Sequence, residues 1–342
     1  MKQDVDQFIT QFTDPNTTEV AVQTSGSTGN PRTIFVSKQA MLNSARRTND
    51  VLALNPGDVA LLCLPMQYIA AKMMVVRSLE RNLTLHLIPP QANPLKHMDA
   101  SCLGTQTLIA ISPHQLSEIL SDQHTAQFLA QVSHVIVGGG AIPVSVEQRL
   151  QSFRNKIYAT YGMTETLSHI ALRLLTGVQA SKKFYALEGV SLSQTTEGCL
   201  VVHDTFTFAK HLTTNDIVVF SSDGGFQIIG RRDNVVNSGG VKLQIEKLEA
   251  QLETTPLQKQ CLLTYVADDV YGQALTLLYT FSISASEAKA HCAQVLHGYE
   301  LPKHYLYVET LPHTSTGKPA RQRAHELAEE ILAKSKSAIK RS

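Results

Sequence analysis

The chain has 342 residues, of which 43% are hydrophobic and 17% are charged. These values are typical of a soluble globular protein that buries a core of its own. Because single cores stop growing near roughly 250–300 residues, the length favours two domains. The formal net charge of +1 gives no support for binding to nucleic acid or to a membrane surface.

The cysteines and the apolar segments point to the cytoplasm. The five cysteines lie far apart and form no CxxC pair, so neither a disulfide framework nor a zinc site is expected. The start MKQDVDQFITQF is too polar for a signal peptide. The longest apolar runs, such as VALLCLP, are too short to cross a bilayer. We therefore expect a cytoplasmic protein without a membrane span.

The first predicted strand is EVAVQ (19–23), and it runs into TSGSTGNPR (24–32). A helical period begins beyond Ser37. We expect the Gly/Ser/Thr loop to lie at the carboxyl end of a strand, where α/β sheets bind ligands, and to hold a phosphate. The loop is not a Walker P-loop, since GxxxxGK[ST] does not occur. A mobile surface turn is the alternative.

Strands rich in valine, isoleucine and leucine then alternate with helical patterns. Each of these apolar runs ends in turn residues, and this arrangement predicts a mostly parallel sheet covered by helices. The runs are 58–65, 83–90, 107–113, 134–140 and 156–162.

The pattern changes from about Gly198, where closely spaced strands predict a small antiparallel subdomain. A smaller α+β domain is expected beyond it, with the boundary near Asp233 and domains of 1–232 and 233–342. Its predicted elements are a helix (244–254), two strands (260–266 and 274–281), a helix (284–298), a strand (304–309) and a final helix. The final helix has an apolar face made of Ala324, Leu327, Ala328, Ile331 and Leu332.

Five motifs follow one another along the chain: TSGSTGNPR, TYGMTET, TTNDIVVF, GRRDNVVNSGGVKLQIEKLE and LPHTSTGKPAR. In this order they resemble the adenylate-forming family, which includes acyl-CoA synthetases, luciferases and peptide-synthetase adenylation domains. The resemblance runs from about residue 20 to about residue 325. It implies an α/β fold with a large N-terminal domain and a mobile C-terminal domain. Family members usually carry a further portion before the Gly/Ser/Thr loop, and here the lead-in is short.

Within this family, YGMTETLSHIALR and LPMQYIAAKMMVVRSLE look like the o-succinylbenzoate–CoA ligases of menaquinone biosynthesis. The resemblance implies that a carboxylate attacks the α-phosphate of ATP, with Mg²⁺, and that coenzyme A then displaces AMP. The alternatives are a ligase for another aryl or medium-chain acid, an adenylation domain that loads a carrier protein, and a silent nucleotide-binding module. The oligomeric state, a homo-oligomer included, stays open.

The resemblance also assigns the nucleotide contacts. Backbone and hydroxyl groups of the loop would hold the β- and γ-phosphates, while three glycines and a tyrosine would form an adenine slot. Thr164 would contact the α-phosphate, and Glu165 would help to hold Mg²⁺. Asp216 would accept the ribose hydroxyls, assisted by Arg231. The loop residues are Thr24, Ser25, Gly26, Ser27, Thr28 and Gly29, and the slot residues are Gly138, Gly139, Gly140 and Tyr161.

Each of these assignments has a structural alternative. The three glycines also suit a turn from strand to helix, and Tyr161 also suits a core position. Asp216 could cap a turn, since it follows an asparagine. A lone Glu165 would ordinarily be solvated.

Lys318 is the candidate for catalysis of adenylation, because a cation beside the α-phosphate stabilises charge that develops in the transition state. The resemblance places a hinge at Asp233. Rotation there would withdraw Lys318 and bring Ser238, Gly239 and Gly240 to the thiol channel. A plain glycine turn is the alternative for these three residues.

The acyl pocket is predicted from stretches that should approach it. Since o-succinylbenzoate is a dicarboxylate, the carboxylate that does not react needs a partner. Lys72, His169 and Arg173 are candidate partners, although any of them could be a structural or surface residue. The full set of pocket candidates is Tyr68, Lys72, Ser168, His169 and Arg173.

Overall fold

The computed structural model describes residues 1–23, 33–207, 211–258, 260–314 and 318–339. The chain divides into two compact units. The first comprises Met1–Ser193, Val201–Thr213 and Phe220–Gln227; the second comprises Gln194–Leu200, Thr214–Val219 and Ile228–Ser342. The second unit thus takes two short separate pieces, together with residues 228–232, from before the predicted boundary. The domain boundary and hinge at Asp233 stay predictions.

The first unit opens with helix α1 (Lys2–Thr13), which the sequence patterns did not predict. Strand β1 (Glu19–Gln23) then pairs antiparallel with β2 (Thr33–Ser37), so that Gln23 lies opposite Thr33. Helix α2 (Lys38–Val51) follows, and the Ser37 hydroxyl caps its start. The predicted strand and the helix beyond Ser37 are confirmed.

The placement of the Gly/Ser/Thr loop needs correction. Residues 24–32 connect the two strands of a hairpin and do not follow a strand of the parallel sheet. The physical reason is that TIFVS is itself rich in β-forming residues and pairs with the strand before it. The loop residues Thr24 to Gly29 lie outside the described residues.

The main sheet has seven strands in the order β4-β3-β5-β6-β7-β8-β9. Pairing is parallel from β4 to β7 and antiparallel from β7 to β9, which confirms the predicted mostly parallel sheet. The further elements of this part are β3 (Val59–Leu62), α3 (Ile69–Arg81), β4 (Thr84–Leu87), β5 (Thr107–Ile111), α4 (Pro113–Ser121), α5 (Gln123–Leu129), β6 (His134–Val137), α6 (Val144–Leu150), β7 (Lys156–Gly162), β8 (His169–Leu174) and β9 (Tyr185–Ala186).

Helices cover both faces of this sheet, and alternate strand residues enter different cores. In β3, Ala60 and Leu62 join the core under α1, α2 and α3. Val59 and Leu61 join the opposite core, under α4, α5 and α6. This alternation explains why nearly every strand residue is apolar.

A four-stranded sheet follows in chain order, β10-β11-β12-β13. All four strands contain residues of both units, and the predicted strands after Gly198 are three of them. The strands are β10 (Val190–Gln194), β11 (Cys199–Asp204), β12 (Leu212–Phe220) and β13 (Phe226–Arg231).

The last sheet belongs to the second unit and has the order β15-β14-β17-β16, with β18 beside β17. The apolar face predicted for the final helix, α9 (Arg321–Ile339), is confirmed, since Ala324 and Ala328 are fully buried and the other three residues pack around them. The predicted helix 284–298 is shorter and ends at Cys292; its predicted last residue, Gly298, has φ +58° and instead begins a 3₁₀ turn. The elements are β14 (Val235–Ser238), β15 (Val241–Gln244), α7 (Ile245–Leu252), β16 (Cys261–Asp268), β17 (Gly272–Tyr279), α8 (Ala285–Cys292), β18 (His304–Tyr307) and α9 (Arg321–Ile339).

Among the described residues, no helix combines the length and the apolar character that crossing a membrane requires.

Candidate active site

Gly138, Gly139 and Gly140 follow β6, so the main chain there carries no side chains. A Cβ atom on Gly138 would lie 2.4 Å from Thr160 Oγ1, and Gly139 has φ +92°, so neither position suits another residue. A Cβ atom on Gly139 would meet no atom within 4 Å. This surface fits the close approach of a flat ring, which is what an adenine slot requires.

Tyr161 lies at the end of β7 and is only 7% exposed. Its ring packs edge-on against Phe184 and Phe226, with centroids 6.1 and 5.6 Å away. This packing suits the core position that the sequence also allows for Tyr161. The role in adenine stacking therefore stays a prediction.

The loop after Tyr161 is tightly constrained. A Cβ atom on Gly162 would lie 2.3 Å from the Ser168 carbonyl oxygen. The buried Thr166 hydroxyl accepts a hydrogen bond from Met163 N at 2.9 Å and donates one to Ser168 O at 2.7 Å. Leu167 has φ +64° and ψ −40°, and the Ser168 amide donates to Thr166 O at 2.7 Å. Such a turn costs about 1–3 kcal/mol in strain.

Two neighbouring side chains of this constrained loop, Thr164 and Glu165, differ in their exposure to solvent. Thr164 is 8% exposed, whereas Glu165 is exposed and forms no ion pair or hydrogen bond within the part of the chain that the structure describes. Those residues also contain no group of three or more histidine, cysteine, aspartate or glutamate side chains able to hold a metal. A free carboxylate in this setting fits Mg²⁺, which takes one or two protein carboxylates and completes its shell with phosphate and water.

A buried polar cluster lies behind the loop, and its central residue is missing from the sequence-based candidates. Arg77 of α3 is 2% exposed, and its Nη2 donates to Ser168 Oγ at 2.5 Å. Its Nε has no partner, and no described carboxylate lies within ion-pair distance. Burial lowers the pKa of Arg77 to about 10, which still leaves it charged at pH 7. We call Arg77, Ser168, His169 and Thr48 the buried polar cluster.

His169 belongs to this cluster as a neutral group. Burial, followed by the charges of Arg77 and Arg47, holds the pKa of His169 well below its usual range. Its Nε2 lies 3.2 Å from Thr48 Oγ1, and its Nδ1 lies 3.3 Å from Ser168 Oγ. His169 can therefore offer a hydrogen bond at pH 7, but the structure does not support it as a cationic partner.

The other two candidate cations are already engaged. Arg173 forms an ion pair with Glu147, and Lys182 reaches the same carboxylate at 3.0 Å. Lys72 Nζ donates to Ala21 O at 2.9 Å, and burial lowers its pKa. Tyr68 is the partly exposed residue that precedes α3. Of the two buried arginines among the described residues, Arg47 pairs with Asp204 at 2.8 Å, whereas Arg77 pairs with no carboxylate.

In the second unit, Arg231 joins two carboxylates. Its Nη1 lies 3.1 Å from Asp216 Oδ1, and its Nη2 lies 2.9 Å from Asp233 Oδ2. The Asp216 amide donates to Thr214 Oγ1 at 3.1 Å. Arg231 therefore links the predicted ribose residue to the predicted hinge residue.

Lys318 follows residues 315–317, which lie outside the described residues. Its amide donates to Thr314 Oγ1 at 3.1 Å, and Thr314 N donates to Lys318 O at 2.7 Å. The pKa of Lys318 is lowered, first by desolvation and then by the charge of Arg231, while Asp216 acts in the opposite direction. Although the residue as a whole is exposed, its ammonium group is close enough to Arg231 and Asp216 to feel their charges.

Ser238 ends β14, and Gly239 and Gly240 form the turn to β15. Both glycines have positive φ, +60° and +84°, as a tight hairpin turn requires. Ser238 is 1% exposed, and its Oγ has no partner among the described residues. The turn explains the glycines, so their part in a thiol channel stays a prediction.

Comparison with known proteins identifies the class. Residues 2–192 match the family model for AMP-binding enzymes, and the chain belongs to this family. The resemblance to adenylate-forming enzymes is thereby confirmed.

The similar proteins agree with this class. The chain is 24% identical over 338 residues to 2-succinylbenzoate–CoA ligase of Bacillus cereus (strain Q1), covering 91% of this chain and 70% of that one. It is 31% identical to an acyl-CoA synthetase (AMP-forming)/AMP-acid ligase II-like protein from Dyadobacter fermentans DSM 18053, with TM-score 0.63 and coverage of 94% and 92%.

A third similarity concerns the fold alone. The o-succinylbenzoate coenzyme A synthetase of Bacillus subtilis, solved in complex with ATP and magnesium ion, has TM-score 0.75 at 18% identity, with coverage of 89% and 69%. The adenylate-forming fold is confirmed by these neighbours.

Proposed function

We propose that the chain is an ATP-dependent acid–CoA ligase, and that its acid is o-succinylbenzoate. Membership of the AMP-binding enzyme family supports the reaction class. The relative from Bacillus cereus is named for ligation of this acid. The observation that carries the choice of acid is the unpaired charge of Arg77.

Arg77 suits a substrate that brings a second carboxylate. A buried charge is very costly unless it is paired, yet the guanidinium has only Ser168 Oγ and the Met74 sulfur as side-chain partners among described residues. A carboxylate bound beside Ser168 would supply the missing counter-charge. Arg77 thus replaces Lys72, His169 and Arg173 as our candidate partner for the non-reacting carboxylate.

The other candidate residues have separate roles in binding ATP and in adenylation. ATP with Mg²⁺ supplies the α-phosphate that is attacked and pyrophosphate as the leaving group. Asp216 accepts hydrogen bonds from the ribose hydroxyls, and Arg231 holds that carboxylate in place. The ammonium group of Lys318 stabilises negative charge as the acid's carboxylate attacks. Glu165 offers its free carboxylate to Mg²⁺.

Two half-reactions test this proposal. Pyrophosphate release without coenzyme A measures adenylation, and mass spectrometry after coenzyme A is added measures the thioester. The panel is o-succinylbenzoate, 4-oxo-4-phenylbutanoate (which lacks the ring carboxylate), benzoate and a medium-chain fatty acid. We expect kcat/KM for o-succinylbenzoate to exceed that for the monocarboxylates at least tenfold.

The other outcomes have clear meanings. Comparable kcat/KM across the panel would reject o-succinylbenzoate and leave the ligase class standing. Adenylate without thioester would favour an adenylation domain that loads a carrier protein. No adenylate from any acid would reject the ligase proposal.

A further inference from the structure

The side chain of Gln244 forms hydrogen bonds that have no role in the reaction proposed above. Gln244 ends β15 and lies opposite Val235 of β14. Its Nε2 donates to the Arg231 carbonyl oxygen at 3.0 Å and to Glu246 Oε2 at 2.6 Å. A Cβ atom on Gly230 would lie only 2.0 Å from this Nε2. The main chain at Gly230 and Arg231 is therefore shaped to receive the Gln244 amide.

The two acceptors of this amide, the Arg231 carbonyl oxygen and the Glu246 carboxylate, lie on opposite sides of the proposed hinge at Asp233. Arg231 precedes Asp233, whereas Gln244 and Glu246 follow it. The other oxygen of Glu246 accepts a hydrogen bond from Asn234 Nδ2, and Asn234 also follows the hinge. Rotation about Asp233 would keep the Asn234–Glu246 bond and break the bond from Gln244 to Arg231.

The conformation that contains this bond also places Lys318 near the nucleotide residues. The charges of Arg231 and Asp216 both act on the pKa of the Lys318 ammonium group, and the proposed adenylation step needs the lysine beside this pair. The bond from Gln244 to Arg231 is thus present in the arrangement suited to the first half-reaction.

We propose that Gln244 is a positioning residue that holds the residues after Asp233 in the adenylation orientation, and so sets the balance between adenylate and thioester formation. The inference rests on the proposed function, because it needs two half-reactions and a rotation between them. Gly230 has a part in this role, because the space that its missing Cβ atom leaves is occupied by the Gln244 amide.

Single-turnover measurements on the full chain test the inference. Gln244→Ala removes the bond, and Gly230→Ala displaces the amide while leaving Gln244 present. Since one such hydrogen bond changes an equilibrium by roughly fivefold, we expect adenylation to slow by about fivefold in both variants. Thioester formation from a chemically prepared adenylate should be equally fast or faster. Gln322→Ala is the matched control, because Gln322 makes its hydrogen bond on the exposed face of α9.

Three results would overturn the inference. Equal slowing of both half-reactions by Gln244→Ala would show that Gln244 has a merely structural role. Unchanged rates would show that its hydrogen bond to Arg231 does not stabilise the adenylation orientation. A parallel shift of the ratio in the Gln322→Ala control would also count against it.

Hydrogen exchange separates this inference from the proposed function. If the wild-type chain forms no adenylate, the ligase proposal fails, but exchange of the backbone amides of residues 232–236 still reports on the contact. Gln244→Ala should speed exchange there, and Gln322→Ala should not. Unchanged exchange in Gln244→Ala would reject the holding role whatever the reaction is.

Discussion

The two charged clusters of this protein differ in how they are held. The buried polar cluster around Arg77 is almost closed to solvent, and its cation pairs with no carboxylate among the residues that the structure describes. The cluster of Asp216, Arg231 and Asp233 is partly exposed, and each charge has an opposite partner. A closed, unpaired site is suited to recognising one ligand group strongly. An open, paired site can exchange partners during a conformational change.

The two clusters also differ in how strongly their charges interact, because one cluster lies near water and the other is desolvated. Charges near water interact weakly, and exposed ion pairs contribute about 0–1 kcal/mol. A desolvated charge interacts far more strongly. Substitutions in the buried cluster should therefore change selectivity, whereas those in the open cluster should change individual reaction steps.

Lys318→Ala should have the largest effect. Removing one preorganised charge from a developing anion costs about 3–4 kcal/mol, so adenylation should slow by roughly 10²–10³. Thioester formation from a prepared adenylate should be spared, because the rotation proposed at Asp233 withdraws the lysine before that step. Quenched-flow measurement of each half-reaction checks this. Equal loss in both steps would contradict the assignment.

Arg77→Met should come next and should act on selectivity. A hydrogen bond to a charged group is worth about 1.5–3 kcal/mol, so kcat/KM for o-succinylbenzoate should fall by roughly 10–100-fold. The KM for ATP and the activity with 4-oxo-4-phenylbutanoate should change little. Thermal unfolding should show no loss of stability, because the variant removes an unpaired buried charge.

Arg81→Met is the matched control on the same helix. Arg81 forms an ion pair with Asp50 at 2.5 Å, and Asp50 is exposed. This control should leave substrate selectivity unchanged. An equal loss with dicarboxylate and monocarboxylate substrates in Arg77→Met would show that Arg77 supports the fold and does not bind the second carboxylate.

Asp216→Ala should have a smaller effect, confined to the nucleotide. Loss of the charged acceptor of the ribose hydroxyls should raise the KM for ATP about tenfold. Since Asp216 opposes the lowering of the Lys318 pKa, the alkaline limb of the adenylation rate should also move to lower pH. An unchanged KM for ATP would return Asp216 to a turn-capping role.

Local patterns predicted the elements well and the buried cluster poorly. The parallel strands are short apolar runs, and the α9 face repeats at helical spacing, so both are visible in neighbouring residues. In TIFVS the choice between strand and helix start depended on pairing with Glu19–Gln23. Arg77 was missed because an arginine in a helix usually lies at the surface, and its partner Ser168 is 91 residues away. The apolar run MMVV before it was the available signal.

The last prediction concerns the neutral histidine of the buried cluster. In the unfolded chain His169 should titrate near pH 6.5, whereas the folded state holds its pKa well below that value. As the pH falls through 6.5, the unfolded state gains a proton that the folded state does not, so stability decreases. Between pH 6.5 and 5.5 this loss should be about 1 kcal/mol. His169→Gln can keep hydrogen bonds to Thr48 and Ser168 but cannot titrate, so its free energy of unfolding should fall less over this interval. Urea titrations of both proteins at several pH values measure the difference. If the two curves run parallel, the imidazole is protonated inside the fold, and His169 would then offer a second cation beside Arg77.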